Sequence, residues 1–219
     1  MLSMLYEPKP YAKEARKMVG KYLVNELGFT KKTPLKFYRY KPDICPEILL
    51  EKPSMITYAY CGIVPLYLPG GYYILNGERL SSVYTSAGFR DLAETAESST
   101  AELWAQKTIQ IMRDEMIPFM ERLTEPEGLI GYLMSPACAG NTKFTRNPFQ
   151  IAKLIAYTYA YMGKPKAAAD SLLAYQYSEP RIVELNQQAI LDFSSDDFDK
   201  DLFFREIIAE NKKKIGMKD

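Results

Sequence analysis

The chain predicts an α+β protein: an N-terminal helix, an antiparallel sheet of four or five strands, a long helix covering that sheet, and an all-helical C-terminal part. Three observations carry this prediction. Apolar residues recur every three or four positions between Tyr11 and Leu27, the stripe of an amphipathic helix. No residue from Pro53 to Gly77 is charged, and the tyrosines and β-branched residues there suit pleated strands around a Pro-Gly-Gly turn. From residue 147 onward every segment keeps helical spacing. At 219 residues, 47% apolar and 25% charged, the chain is long enough to bury a core. A chain of this size removes about 70% of its unfolded surface from water.

In the first helix Ala15, Met18, Val19, Tyr22 and Leu23 form the buried stripe. Gly28 stands where a left-handed cap belongs, and Phe29 beyond it folds back on the last turn. After the Thr33-Pro34 break, Leu35 to Lys41 alternates as a strand, with Leu35 and Phe37 on one side and Lys36, Tyr38 and Tyr40 on the other. Ile48-Leu49-Leu50 is a second extended run and Met55 to Leu68 a third. Asn76-Gly77 then joins Tyr72–Leu75 to Arg79–Tyr84 as a hairpin. Ser99-Thr100-Ala101-Glu102 is a capping box. It opens a long helix in which Trp104, Ile111, Phe119 and Leu123 hold register beside Met112 and Met116, and which Pro118 kinks or divides. The helix stops near Glu125–Gly128, and the uncharged passage from Gly128 to Thr142 reads as a packed connector. The expected organisation is an α+β domain over 1–127, a connector over 128–146 and a helical region over 147–219 docked on the first domain.

Asn147-Pro148-Phe149-Gln150 supplies an N-cap, a proline at the first helical position and a glutamine placed to reach back. From Phe149 to Ile182 the spacing resembles one tetratricopeptide-like helical hairpin. Ile155, Ala156, Tyr159, Gly163, Ala168, Leu172 and Pro180 take the large, small, aromatic, turn, small, large and stop places of that roughly 34-residue frame. Ala152 replaces the frame's tryptophan, and Tyr175 stands at a place usually given to alanine. Two more helices, about Arg181–Phe193 and Asp196–Ile215, do not repeat the pattern. Solenoids need about three stacked repeats, so this is a hairpin docked on a domain.

Leu27-Gly28-Phe29-Thr30-Lys31-Lys32, then Phe37-Tyr38-Arg39, a sheet, and a long helix carrying Trp104 and ending Ile117–Leu123 resemble a bacterial family of uncharacterised domains. The resemblance covers residues 11–125. It departs between sheet and helix, where the family's polar and aromatic stretch is missing. It implies a bacterial or phage-borne α+β domain and transfers no catalytic residue.

Charge and rare residues narrow the chemistry. With 28 basic and 27 acidic residues the net charge is +1, which gathers neither nucleic acid nor an anionic membrane. There is no histidine. Ser-His and Cys-His nucleophile pairs and the HExxH metal site are therefore excluded. Cys45, Cys61 and Cys138 are odd in number and far apart, without a CxxC, so neither a disulfide framework nor a zinc knuckle is written here. The expected location is a reducing cytoplasm, and the N-terminal residues, reaching Glu7 and Pro8 early, lack a signal peptide's apolar core. The uncharged run is long enough to span a bilayer, but Pro65, Pro69, Gly70 and Gly71 interrupt it, so no membrane partner is expected.

Each candidate site has a plainer alternative. Asp192, Asp196, Asp197, Asp199 and Asp201 lack calcium-loop grammar, and with Lys212-Lys213-Lys214 they complement a helix dipole. Asp43, Glu47, Glu51 and Lys52 near an apolar strand suggest a metal-dependent, nuclease-like hydrolase, with acids for magnesium and a lysine for the water. Adjacent Glu51 and Lys52 would, however, face opposite sides of a strand. The 17 tyrosines offer the other reading. Tyr58, Tyr60, Tyr67, Tyr72 and Tyr73 on the sheet, or the C-terminal hairpin with Tyr159, form a surface for a protein or peptide. The alternative buries them under the C-terminal helices. The sequence thus points to a non-enzymatic binding module with no cofactor and no metal, the hydrolase being its rival and a structural subunit of a homo-oligomer a third class.

Overall fold

The computed structural model describes residues 10–50, 59–69, 101–136, 138, 148–176 and 180–218. It is an α+β structure with a four-stranded antiparallel sheet and a helical C-terminal part. The chain divides into two compact units, Met1–Lys41 with Cys45–Ile63 and Ile74–Glu121, and Pro42–Ile44 with Val64–Tyr73 and Arg122–Asp219.

In the first unit α1 (Pro10–Asn25) buries Ala15, Val19 and Leu23 completely. Gly28 adopts φ +67°, a left-handed turn that glycine enters without a Cβ clash. This lets the Phe29 N–H donate to Leu23 O at 2.9 Å while the Phe29 ring is buried. The chain reverses into the short edge strand β1 (Thr30–Lys31), β2 (Lys36–Tyr38), β3 (Ile44–Leu50) and β4 (Ala59–Pro65), in the order β1-β2-β3-β4. Thr33 Oγ1 accepts the Leu35 and Lys36 N–H groups and so shapes the β1–β2 turn.

Phe37 pairs with Ile48 and Tyr38 with Glu47. Strand alternation sends the first pair to a core shared with α1 and the second pair to the opposite face. That core is closed by α2 (Ala101–Ile111), a π-helical turn (Met112–Met116) and α3 (Ile117–Arg122), which contribute Ala105, Met112, Met116 and Met120. Pro118 accounts for the π turn. Its ring clashes with the carbonyl four residues back, so the ladder loosens and the Ile117 N–H reaches Met112 O.

In the second unit α4 (Pro126–Leu133) occupies part of the passage read as a connector. Pro126 opens it and Leu129 and Leu133, four apart, are buried. Gly128 supplies space, because a Cβ there would lie 2.0 Å from Arg122 O. A helical hairpin follows, α5 (Pro148–Tyr161) and α6 (Pro165–Gln176), turning at Gly163 (φ +71°) and approaching closely over Ala156, Ala160 and Ala168. Then come α7 (Pro180–Phe193) and α8 (Lys200–Ile215). Asp199 caps α8 by accepting the Asp201 and Leu202 N–H groups at 2.9 and 3.1 Å, and Lys212–Lys214 face the negative end of its dipole.

Rings fill this unit. Tyr67 stacks on Tyr161 at 4.3 Å, Phe204 meets Tyr161 edge-on at 5.4 Å, and Phe193 meets Tyr157 edge-on at 5.3 Å. Among the described residues no helix is long and apolar enough to cross a membrane. The Asn76-Gly77 hairpin and Ser99 and Thr100 of the capping box lie outside the described residues, while Ala101 and Glu102 open α2.

Candidate functional site

A groove of about 1000 Å³ opens in the first unit between α1 and the β1–β2 hairpin. That volume is at the upper end of the roughly 300–1,000 Å³ of small-molecule clefts, enough for a short peptide segment. Local sequence builds it. Arg16 and Gly20 are four apart, and Lys17, Lys21 and Val24 repeat at four and three, so they form the α1 face away from Ala15, Val19 and Leu23. Gly20 leaves the floor open. Its missing Cβ would stand 3.0 Å from Phe37 Cζ, so any side chain would press on that ring. Across the groove the hairpin contributes Lys31, Pro34, Leu35 and Phe37.

The groove is therefore apolar on its floor and cationic on its rim. Arg16, Lys17, Lys21 and Lys31 line it, and among the described residues no acid does. Lys17 pairs with Glu14 at 2.9 Å, but both side chains are well exposed, so the pair is screened and worth little. Burial lowers the Arg16 guanidinium from its ordinary value, and among the described residues its buried Nη1 has no hydrogen-bond partner. A buried donor left unmade is costly, and an anion beside it supplies the acceptor. Val24, at 40% exposed, is one of the few large apolar side chains left open among the described residues.

The residues singled out from the sequence fall elsewhere. Glu51, Lys52, Tyr58, Tyr72 and Tyr73 lie outside the described residues, and Tyr60 is described only as part of β4. Asp43 belongs to the second unit, where Tyr161 Oη donates to its Oδ1 at 2.5 Å. Glu47 belongs to the first unit and is buried. Its Oε1 accepts from Tyr38 Oη at 3.0 Å and faces Lys36 Nζ at 3.5 Å, while among the described residues the buried Oε2 has no hydrogen-bond partner. Burial raises the Glu47 carboxyl above its usual range, against the opposing pull of Lys36 and Tyr38. Among the described residues no three acid or cysteine side chains gather as a metal would require.

Tyr67 is fully buried in the second unit. Thr158 Oγ1 donates to Leu154 O at 2.6 Å, so the Tyr67 hydroxyl is the donor in its 3.0 Å contact with Thr158. Burial, the largest effect, pushes the Tyr67 hydroxyl above its ordinary value. It is a core residue. Tyr159 is half-buried on α5. The groove itself was not read from the sequence. Its one signal there is Val24, an apolar residue outside the α1 core stripe, standing two turns beyond Lys17 and one beyond Lys21.

Compared with known proteins, the chain matches no family model, no curated protein and no solved structure.

Proposed function

We propose that this protein is a non-enzymatic binding module whose α1–hairpin groove receives a peptide segment that carries both apolar and acidic residues. One observation carries the reading: an apolar floor of Val24, Leu35 and Phe37 framed by Arg16, Lys17, Lys21 and Lys31 with no lining acid among the described residues. Apolar contact supplies the affinity of such a groove, and the cationic rim supplies register and on-rate. The buried thiols of Cys45, Cys61 and Cys138 are in keeping with a reducing, cytoplasmic setting.

Selection of random twelve-residue peptides on the immobilised full chain tests this. Enriched sequences should pair Leu, Ile or Phe with Asp or Glu. A Val24→Asp variant should weaken their binding about tenfold through charge and lost apolar contact. Failure to enrich any peptide over the library, or enriched peptides indifferent to Val24→Asp, overturns the reading.

A further inference from the structure

The chain itself carries a surface with the chemistry this groove selects. Leu191 on the last turn of α7 and Leu202 on the first turn of α8 are 59% and 63% exposed. Between those two leucines the sequence carries Asp192, Asp196, Asp197, Asp199 and Asp201 against one cation, Lys200. Among the described residues five large apolar side chains are exposed, and three of them belong to these two surfaces: Val24 in the groove, Leu191 and Leu202 at the corner. The signs are opposite and the magnitudes match, four cations lining the groove and a net of four negative charges at the corner. The whole chain is close to neutral, at +1, so no long-range repulsion keeps copies apart.

We propose that the groove's partner is a second copy of this chain, its α7–α8 corner placing exposed leucine on the groove floor and its aspartates on the lysine and arginine rim. This rests on the peptide-binding reading and names its occupant. The contact joins two different surfaces, so each copy offers both halves and assembly grows with concentration.

Sedimentation of the full chain over a range of concentrations tests the proposal. Average mass should rise with concentration in low salt and fall back toward the monomer when salt shortens the Debye length from about 10 Å to about 3 Å. Lys17→Glu with Lys21→Glu, and separately Asp196→Lys with Asp197→Lys, alter exposed side chains only. Each pair should weaken self-association about tenfold or more. An equimolar mixture should recover a 1:1 complex, because one variant retains the native corner and the other the native groove. A chain that stays monomeric at every concentration overturns the self-docking proposal. The peptide-binding reading survives that result if peptide selection still enriches acidic, apolar sequences. Association that both charge reversals leave untouched also overturns the proposal, since another surface is then responsible.

Discussion

The two units solve burial with different materials. The first closes its core with Met112, Met116 and Met120 against Ala15, Val19, Leu23 and Ile48. The second closes its core with interlocked rings, Tyr67, Tyr157, Tyr161, Phe193 and Phe204, and fastens them with polar ties. Tyr161 reaches Asp43, Tyr67 reaches Thr158, and Asn211 Nδ2 donates to the Leu66 and Leu68 carbonyls at 2.7 and 2.9 Å. Thioether chains are flexible and fill irregular space, whereas rings accept few geometries and buried donors need named acceptors. A methionine-lined core thus tolerates the open groove beside it, and an aromatic, hydrogen-bonded core holds one arrangement.

The largest expected effect breaks the ring cluster. Phe204 is buried against Tyr67, Tyr157, Tyr161 and Phe203. Phe204→Ala should cost about 3–5 kcal/mol, the price of a large cavity that neighbouring rings cannot fill. The matched truncation in the other core, Met116→Ala, should cost less, about 2 kcal/mol, because the flexible neighbouring thioethers close part of the cavity. Urea unfolding of both variants gives the comparison directly. Equal losses would mean that the two cores do not differ in tolerance.

Next in size is the polar tie. Asn211 is 1% exposed, and Asn211→Leu keeps the apolar bulk while removing both donors. The Leu66 and Leu68 carbonyls then lose their Asn211 partner in a buried setting, at about 2–3 kcal/mol together. Leu66 and Leu68 are themselves fully buried, so water cannot readily replace the amide. An unchanged unfolding midpoint would show that the carbonyls find other donors.

What the sequence made legible was local. The α1 stripe, the Gly28 cap with Phe29 folded behind it, and the Asp199 to Lys214 dipole pattern of α8 each depend on residues within a turn or two of one another. Leu35 and Phe37 share a strand face, and Tyr38 opposes them, as alternation required. The groove depended on more. Phe37 comes to rest beneath Gly20 only because the hairpin folds back on α1, a contact that no periodicity in either segment announces. The sequence leaves Tyr67 open between a partner surface and burial under the C-terminal helices, and Tyr161 and Phe204, far along the chain, decide for burial. At Pro126–Gly128 the proline and glycine read as a stop, yet proline at the first turn starts a helix and Gly128 only yields room to Arg122 O.

The smallest effect concerns Glu47, the one carboxyl or cationic side chain among the described residues that is fully buried. Its folded carboxyl holds a proton to higher pH than the unfolded chain does, where an ordinary glutamate titrates near 4.3. The native state therefore binds more protons between those two values, and stability must fall as pH rises through them and then level off. Glu47→Gln keeps an acceptor for the Tyr38 hydroxyl at 3.0 Å and removes the charge. Lys36, 3.5 Å away, offsets part of the cost of the native charge, so the gain above that window is limited to about 1 kcal/mol. The readout is the difference between variant and wild type in melting temperature from pH 4 to pH 8. It should move in the variant's favour as pH rises, while the Asn211→Leu deficit, which involves no ionisable group, stays level. A Glu47→Gln difference that is flat with pH would mean that the first unit's buried carboxyl is as indifferent to protons as the second unit's amide tie.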